Sequence, residues 1–217
     1  MENFVFMSCL YLDASREDLS LGIYHDGYWY CREAISGRHD QVLLTSIHEL
    51  CNELKIGPAA FSQCVVVNGP GSFTGLRITV SCIHALDLVR PLSVLPIDQL
   101  SLLSEAAGVC LDAVLDARMN EVYLGTCLSE NGLYESLSLV RASELDDGVK
   151  RVCHVSEWDR LQGDLIPIRP TLNTLRDLAK RQPETSWIPG RQLTPQYVRQ
   201  TVSWKPLTEQ PSKLYDR

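Results

Sequence analysis

The sequence predicts an α/β protein with two lobes, each a mixed β-sheet with helices packed on it, the second lobe shorter than the first. Strand-like segments open each half of the chain, and in the first half they give way to alternating strand and helix patterns. We place the lobes at residues 1–107 and 108–217, with the tail included in the second. A chain of 217 residues is long enough for each lobe to bury a core.

The first half begins with three predicted strands. Residues 4–12 are rich in strand formers, and two further runs of this kind follow at Leu19–His25 and Tyr28–Ile35. Asp26-Gly27 separates the last two runs and is a strong signal for a two-residue hairpin turn. The fold therefore begins with three consecutive strands, of which the last two form a hairpin.

Helix and strand patterns then alternate. In residues 40–54 the apolar side chains share one arc of a helical wheel, and Asp40 is the expected N-cap. A buried strand at residues 64–67, a helix ending near Val89, a short strand at residues 92–95 and a helix from about Asp98 complete the series. Three antiparallel strands followed by strand–helix units are the order of one ribonuclease-H-like lobe.

The second half starts a new strand series. We expect strands at residues 109–115, 121–128, 137–140 and 151–155, and then a helix at residues 172–181. This order resembles a shortened copy of the first half, although the sequence itself shows no repeat.

Composition excludes several classes of protein. The net charge is −7 and the basic residues are scattered, so the surface as a whole does not match a nucleic-acid binder; any RNA would be held by another protein. No apolar run approaches the roughly 20 residues of a membrane span, and no signal-peptide pattern is seen, which favours a cytoplasmic protein. The eight cysteines are widely spaced without a CxxC pair, so we expect buried, reduced thiols.

A glycine-rich segment joins the buried strand to the second helix. Residues 68–78 read Asn-Gly-Pro-Gly-Ser-Phe-Thr-Gly-Leu-Arg-Ile. Backbone amides at this helix start could receive an anion. Alternatively, the segment is a tight crossover whose glycines permit unusual backbone angles, with Ser72 or Thr74 capping the helix. The spacing GxGxxxG is neither a dinucleotide fingerprint nor a P-loop, so the residues by themselves favour the crossover.

Two other segments are distinctive. Residues 116–123 join two strands of the second half, where Asp116 and Arg118 are either a catalytic pair or, more commonly, a contact that braces a hairpin. Residues 195–200, with Trp204-Lys205 beyond them, fit an anchored tail. No histidine stands at the spacing of a metal site, and no Ser–His–Asp or Cys–His set is recognisable, so we assign no catalytic, cofactor-binding or metal residue.

Together these segments resemble the TsaB (YeaZ-type) family of tRNA threonylcarbamoyladenosine biosynthesis proteins. The resemblance also covers residues 12–15 and His39 with the apolar residues that follow it, and it spans nearly the whole chain. The signature-loop residues are Gly69, Gly71, Ser72, Thr74, Gly75 and Arg77, and those of the second-lobe signature are Asp116, Arg118, Glu121 and Tyr123. The chain departs from the family at Thr79, where Gly is usual, and at residues 82–84, where small residues are usual.

The resemblance implies two lobes of the actin-like type and a role beside the anticodon of tRNAs that read A-starting codons. In that system TsaC makes threonylcarbamoyl-AMP, TsaD transfers the group, and TsaE joins the complex. This chain would be a non-catalytic partner of TsaD, able to homodimerise when TsaD is absent. ATP and metal are expected on the partner subunits and no cofactor on this chain, and tRNA is expected to be bound only through the complex.

The resemblance also implies that the partner surface lies on the helices of the first lobe. On the second helix Leu76, Val80 and Ile83 form an apolar arc apart from the arc expected to face the sheet. We assign this arc to the partner interface, together with His84 and Asp87. The alternative is that the helix is buried on two sides of its own lobe.

An enzyme of the same fold, either a phosphotransferase or a peptidase-like hydrolase, is the second hypothesis. A kinase of this fold needs an acidic metal site and two phosphate-binding loops. Asp13 and the loop at Gly69 could begin such a site, but the second half contains no second glycine-rich phosphate loop.

Overall fold

The computed structural model describes residues 8–146 and 148–199. The predicted strand at residues 4–12 is therefore described only from Ser8, and Trp204-Lys205 lies outside the described residues. The strands are β1 (Ser8–Asp13), β2 (Leu19–His25), β3 (Tyr28–Ile35), β4 (Phe61–Gly69), β5 (Ser93–Asp98), β6 (Asp112–Arg118), β7 (Glu121–Leu128), β8 (Tyr134–Arg141), β9 (Arg151–His154), β10 (Leu165–Ile168) and β11 (Ile188–Pro189). The helices are α1 (His39–Leu54), α2 (Phe73–Val89), α3 (Gln99–Ala107) and α4 (Leu172–Lys180).

The strands form two mixed sheets with a shared plan. The first has the order β11-β5-β4-β1-β2-β3 and the second the order β10-β9-β6-β7-β8. In each, an antiparallel three-stranded meander is extended by two parallel strands, β4 and β5 beside β1, and β9 and β10 beside β6. The prediction of two lobes, each built on a mixed sheet, is confirmed.

The first sheet is covered on both faces. Alternation along β1 sends Leu10 and Leu12 toward α1 and α2, and Cys9 and Tyr11 toward α4. The apolar run of β4 at residues 64–67 follows from this cover, because a strand buried on both faces has no solvent side. Each fully buried leucine of these layers contributes roughly 2 kcal/mol to the stability of the fold.

The chain does not divide at one point into two lobes. Helix α4 packs its buried Leu172, Leu175 and Leu178 on the first sheet, and β11 pairs with β5 at that sheet's edge. The cut after residue 107 is therefore wrong for this later part of the chain. Helix α3 lies between the sheets, with Leu102 in a core of the first and Leu100 and Leu103 in the core of the second.

The first residues of α1 show that the predicted N-cap, Asp40, is wrong. Helix α1 begins at His39, its N-cap is Arg38, and Asp40 lies inside the first turn, where a carboxylate suits the helix dipole. The Arg38 guanidinium donates to Asp40 and lowers the pKa of that carboxyl. Helix α2 begins as expected, because the Ser72 hydroxyl accepts a hydrogen bond from the Gly75 amide at 3.2 Å.

All eight cysteines lie in the described residues and are unpaired. Five are buried, and burial raises the pKa of Cys82 and of Cys153 to about 11. Cys31, Cys110 and Cys127 are exposed, so the expectation of burial is wrong for them. Among the described helices, none has the combination of length and apolar character needed to cross a membrane.

Candidate functional site

The signature loop between β4 and α2 presses directly against the end of β1. A Cβ placed on Gly71 would lie 2.3 Å from the Ser15 carbonyl oxygen, and one on Gly75 would lie 2.0 Å from the Ala14 carbonyl oxygen. The Ser72 amide donates to the Ser15 carbonyl at 2.7 Å. The glycines are therefore required by close approach of two backbones.

The structure confirms the crossover interpretation of this loop and adds a distinction between its glycines. Gly69 has φ +127°, a conformation that favours glycine, and a Cβ placed on it would also lie 2.7 Å from the Gln196 carbonyl oxygen. Gly71 is not among the residues with positive φ, so its requirement comes from space alone. Thr74 is exposed in the first turn and Ser72 provides the cap.

The signature loop opens onto a cleft of about 740 Å³ between the two lobes. Helices α1 and α2 both begin at this cleft, with His39 and Phe73 among its lining residues. Its charged lining residues are Arg16, Arg38, Arg118, Arg160 and Arg169, and Glu17, Asp18, Asp40, Asp116 and Glu157. Positive and negative side chains are thus balanced along its walls.

One ion pair closes the back of the cleft across the two lobes. Arg16 follows β1, and its Nη1 lies 2.8 Å from Glu157 Oε1, with both side chains largely buried. The other carboxylate oxygen of Glu157 accepts the Asp116 backbone amide at 2.8 Å. Glu157 therefore holds the first lobe to the β6 strand of the second. Sequence analysis does not single out Glu157, because a lone glutamate in a short 3-10 helix has no recognisable spacing.

Asp13, the carboxylate that could begin a kinase site, is hydrogen-bonded to its sequence neighbour Ser15. Asp13 Oδ1 accepts hydrogen bonds from the Ser15 amide at 2.9 Å and from the Ser15 hydroxyl at 2.6 Å. Burial raises the pKa of Asp13. Asp13 is not among the residues that line the cleft.

A serine and a histidine do meet on the wall of the cleft. His154 Nδ1 lies 2.7 Å from the Ser156 hydroxyl and 3.2 Å from the Ser156 amide, which is the geometry of a local cap on the short 3-10 helix Val155–Arg160. Burial, with the charges of Arg16 and Arg169, lowers the pKa of His154 to about 4. A general base works best with a pKa near the working pH, so this imidazole is poorly matched to activate Ser156.

The residues assigned to the partner interface are not free surface. Leu76 is 2% exposed, Val80 9% and Ile83 0%, so the apolar arc belongs to the interior of the first lobe. The helix is buried on two sides because it packs on the sheet and beside α1. The prediction that this arc waits for another chain is wrong.

His84 and Asp87 are likewise used within the lobe. His84 Nε2 lies 3.0 Å from the Leu193 carbonyl oxygen, and Asp87 accepts the Leu92 amide at 2.8 Å. Both side chains contact segments that return across α2, but both are also partly exposed, so their assignment to the partner interface stays a prediction. The existence of a partner surface elsewhere on the helices stays a prediction.

The exposed residues of α2 begin with a stacked cluster. The Arg77 guanidinium lies 3.8 Å from the centre of the Phe73 ring, and its Nε donates to the Tyr197 hydroxyl at 2.9 Å. The Gln196 amide donates to the Asn68 carbonyl. The expectation that Tyr197 anchors the chain after α4 is confirmed.

The second-lobe signature has a bracing role. Asp116 accepts the Arg118 amide at 2.8 Å, and their side chains approach to 3.6 Å, so the Asp–Arg contact does brace the hairpin. Glu121 pairs with Arg199 at 2.6 Å, and Arg199 also donates to the Ala117 carbonyl. Tyr123 is half-buried on the cleft wall. The second-lobe segment and the last described residues are thus joined to each other.

Potential ligands for a metal do not converge in the described part of the chain, since no group of three His, Cys, Asp or Glu side chains there is arranged to hold an ion.

Comparison with known proteins places this geometry in a family. Residues 33–161, more than half of the chain, match the family model described as TsaD: tRNA N6-adenosine threonylcarbamoyltransferase. The chain belongs to this family. The curated relatives and the solved structures similar to it show that it is of the TsaB/YeaZ type.

Two curated relatives are named tRNA threonylcarbamoyladenosine biosynthesis protein TsaB. The protein from Haemophilus influenzae is 30% identical over 130 residues, and the match covers 57% of this chain and 55% of that one. The protein from Bacillus subtilis is 32% identical over 103 residues, covering 46% and 44%. The chain thus matches about half of the length of these relatives.

Solved structures of Pseudomonas aeruginosa proteins extend the likeness of this TsaD-family chain to nearly its whole length. One, described as an uncharacterized protein with similarity to peptidase YEAZ, is 25% identical with a TM-score of 0.71 and covers 89% of this chain and 100% of its own. YeaZ from the same organism matches with the same identity and TM-score. The two-lobed, actin-like fold expected from the resemblance is confirmed.

Proposed function

We propose that this chain is a non-catalytic partner subunit in the formation of N6-threonylcarbamoyladenosine beside the anticodon of tRNAs that read A-starting codons. The observation that carries the proposal is that the signature residues make structural contacts within the chain. Gly71, Gly75 and Ser72 join α2 to the end of β1, and Asp116, Glu121 and Arg199 join β6 and β7 to the last described residues. The names of the curated relatives supply the pathway.

A phosphotransferase is the less favoured function. Such an enzyme of this fold would need a carboxylate free to hold a metal at the base of the cleft. Asp13 instead accepts two hydrogen bonds from Ser15, whose hydroxyl also lies 2.9 Å from the Gln99 side chain. This local network gives Asp13 the role of fixing the chain between β1 and β2.

A peptidase-like hydrolase is also less favoured. Ser156 and His154 are the nearest approach to a nucleophile and base, but His154 Nδ1 accepts the Ser156 amide and has its pKa lowered to about 4. Both features suit a helix cap better than proton transfer near neutral pH.

We assign the surface for TsaD to the outer face of α1 and α2. Along α2 the exposed residues recur at helical spacing, at Thr74, Arg77, Ser81, Ala85 and Leu88. Leu88 is 88% exposed, and Leu44 on the neighbouring α1 is 65% exposed. Small side chains in the middle of the stripe would let another helix approach closely, and the exposed leucines would be covered by it.

The same face serves a homodimer when TsaD is absent, and TsaE joins after TsaD. ATP and metal act on the partner subunits and tRNA is held by the whole complex, in the cytoplasm.

The test is reconstitution of tRNA modification with purified TsaC, TsaD and TsaE, ATP, threonine and bicarbonate. We expect threonylcarbamoyladenosine to form when this chain is added and to fall to background without it. The chain alone should show no transferase, kinase or peptidase turnover. Robust turnover by the isolated chain, or full modification in its absence, would contradict the proposal.

A further inference from the structure

A second and larger cavity lies on the second lobe, away from the faces of α1 and α2. Its volume is about 1230 Å³, and its floor includes Val114 and Val122 of the second sheet. The core between this sheet and α3 uses the opposite face, through Ala113, Leu115 and Val152. The cavity therefore occupies the face of the second sheet that α3 leaves open.

The walls of this cavity carry more positive than negative charge. Five arginines line it, Arg118, Arg141, Arg151, Arg160 and Arg199, against the three carboxylates of Asp116, Glu121 and Asp146. Glu121 is paired with Arg199 and Asp116 lies 3.6 Å from Arg118. Within residues 8–146 and 148–199, the side chains of Arg141, Arg151 and Arg160 make no ion pair. On a chain of net charge −7, this excess is local to the cavity.

Arg151 is the most unusual of these arginines. It is only 6% exposed, and its Nη1 donates to two backbone carbonyls, those of Asp146 at 2.9 Å and Val149 at 3.2 Å. Its buried Nε has no acceptor among the described residues. Among the described residues no carboxylate pairs with this guanidinium, and burial of an unpaired charge is strongly disfavoured, so the site favours a bound anion.

The turn between β6 and β7 forms part of the rim of this cavity. Arg118, Met119 and Asn120 are successive residues with positive φ, at 65°, 58° and 60°. All three line the cavity. The hydrogen bond from the Arg118 amide to Asp116 and the pairing of Glu121 with Arg199 hold this turn in place. The second-lobe signature therefore shapes the cavity as well as bracing the hairpin.

We propose that this cavity binds a phosphate group, carried either by a free nucleotide or by an RNA strand. Planar guanidinium groups match phosphate oxygens in geometry and charge, and several converging arginines favour phosphate over a single carboxylate. The space is large enough to admit the nucleoside attached to the phosphate. The site goes beyond the proposed function, because it resides on this chain and needs no TsaD.

The experiment is calorimetric titration of the full-length chain with inorganic phosphate, AMP and a short RNA hairpin. Arg141→Gln and Arg160→Gln remove exposed guanidinium groups of the cavity, and Arg191→Gln is the matched control on an exposed arginine outside it. We expect each cavity variant to weaken binding about tenfold and the control to leave it unchanged. Binding should also weaken as salt is raised.

Arginine-dependent binding of phosphate or AMP would identify a nucleotide site, and arginine-dependent binding of the hairpin alone would identify a strand site. No binding of any probe at about 10 mM phosphate or AMP would overturn the proposal. An equal loss of binding affinity in Arg191→Gln would also overturn the proposal, because the probes would then be attracted by the charge of the whole surface and not by the cavity. Arg151→Met tests the buried guanidinium, and the two exposed variants decide the outcome if that variant does not fold. Since TsaD is absent from the titration, failure here leaves reconstitution of tRNA modification as a separate test.

Discussion

The two sheets share a strand order but differ in what covers them. The first sheet has α1 and α2 on one face and α4 on the other, so its central strands are apolar on both sides. The second sheet has α3 on one face, and its other face meets a cavity lined with arginines. The same order of strands therefore supports a lobe stabilised by apolar packing and a lobe that concentrates charge.

This contrast separates two kinds of signature residue. In the first lobe Gly71 and Gly75 act through close backbone contact, and a side chain at either position has no space. In the second lobe Asp116 and Glu121 act through hydrogen bonds and ion pairs at the wall of a cavity. Variants in the two lobes should accordingly fail in different ways, by loss of stability in the first and by changed charge in the second.

The largest effect is expected for Ile83→Asp, which places a carboxylate in the interior of the first lobe. Ile83 is fully buried against the sheet and α1, so we expect a loss of roughly 4 kcal/mol or more in the free energy of unfolding. Denaturant unfolding of the variant measures this loss. Ser81→Asp on the exposed side of the same helix is the control and should change stability by no more than about 0.5 kcal/mol. If the Ile83→Asp protein is as stable as the parent, the apolar arc of α2 is not buried in the first lobe, which would contradict this account.

The next effect is expected for Gly71→Val. Its Cβ would lie 2.3 Å from the Ser15 carbonyl oxygen, a backbone atom that cannot move without displacing the end of β1. We expect a loss of about 3 kcal/mol, caused by overpacking. Gly57→Val is the control, because a Cβ there has no neighbour within 4 Å. If both variants melt at the same temperature, close approach is not the reason for the glycine at position 71.

Much of this architecture was predictable because it depends on local pattern. Helical periodicity predicted α1 and α2, a continuous apolar run predicted β4, and Asp26-Gly27 predicted the hairpin, since side-chain pattern and turn chemistry are local properties. A cap at Ser72 or Thr74 was predicted for the same reason, and Ser72 provides it. Strands β10 and β11 were missed, since Leu165–Ile168 and Ile188–Pro189 are too short to show a period.

The candidate site was less predictable because its contacts join distant parts of the chain. Leu76, Val80 and Ile83 were placed outside because a helical wheel shows an apolar arc but not which neighbour covers it, and α1 and the sheet cover both sides here. The Arg16–Glu157 pair spans 141 positions of sequence, and neither residue has a distinctive neighbour. The five arginines of the second cavity come from five different parts of the chain and converge only in the fold.

A smaller effect is expected from acid on the second lobe, through His154. Because burial lowers its folded-state pKa to about 4 from the ordinary 6.5, the unfolded chain takes up a proton first as pH falls. The contribution of His154 to stability is fully present above about pH 6.5 and is lost as pH falls toward 4. We expect this loss to reach roughly 2 kcal/mol in the parent and to be absent in His154→Asn.

The measurement is denaturant unfolding between pH 7 and pH 4, with the difference between parent and variant taken at each pH. Subtraction removes the contribution of Asp13 and Asp98, whose pKa values burial raises and which therefore oppose the trend. His48→Asn, at an exposed position, is the control. A parent and a His154→Asn variant with parallel pH profiles would show that His154 does not titrate with unfolding.

The most direct test of the partner-subunit account is binding of the Leu88→Asp variant to TsaD, measured by calorimetry beside a thermal melt. Leu88 is 88% exposed, so we expect stability to change by no more than about 0.5 kcal/mol. A carboxylate in the proposed interface should weaken association at least about tenfold. Val109→Asp, at an exposed apolar residue between α3 and β6, is the control and should bind as the parent does. A folded Leu88→Asp chain that binds TsaD as tightly as the parent would contradict the assignment of the partner surface to the outer face of α2.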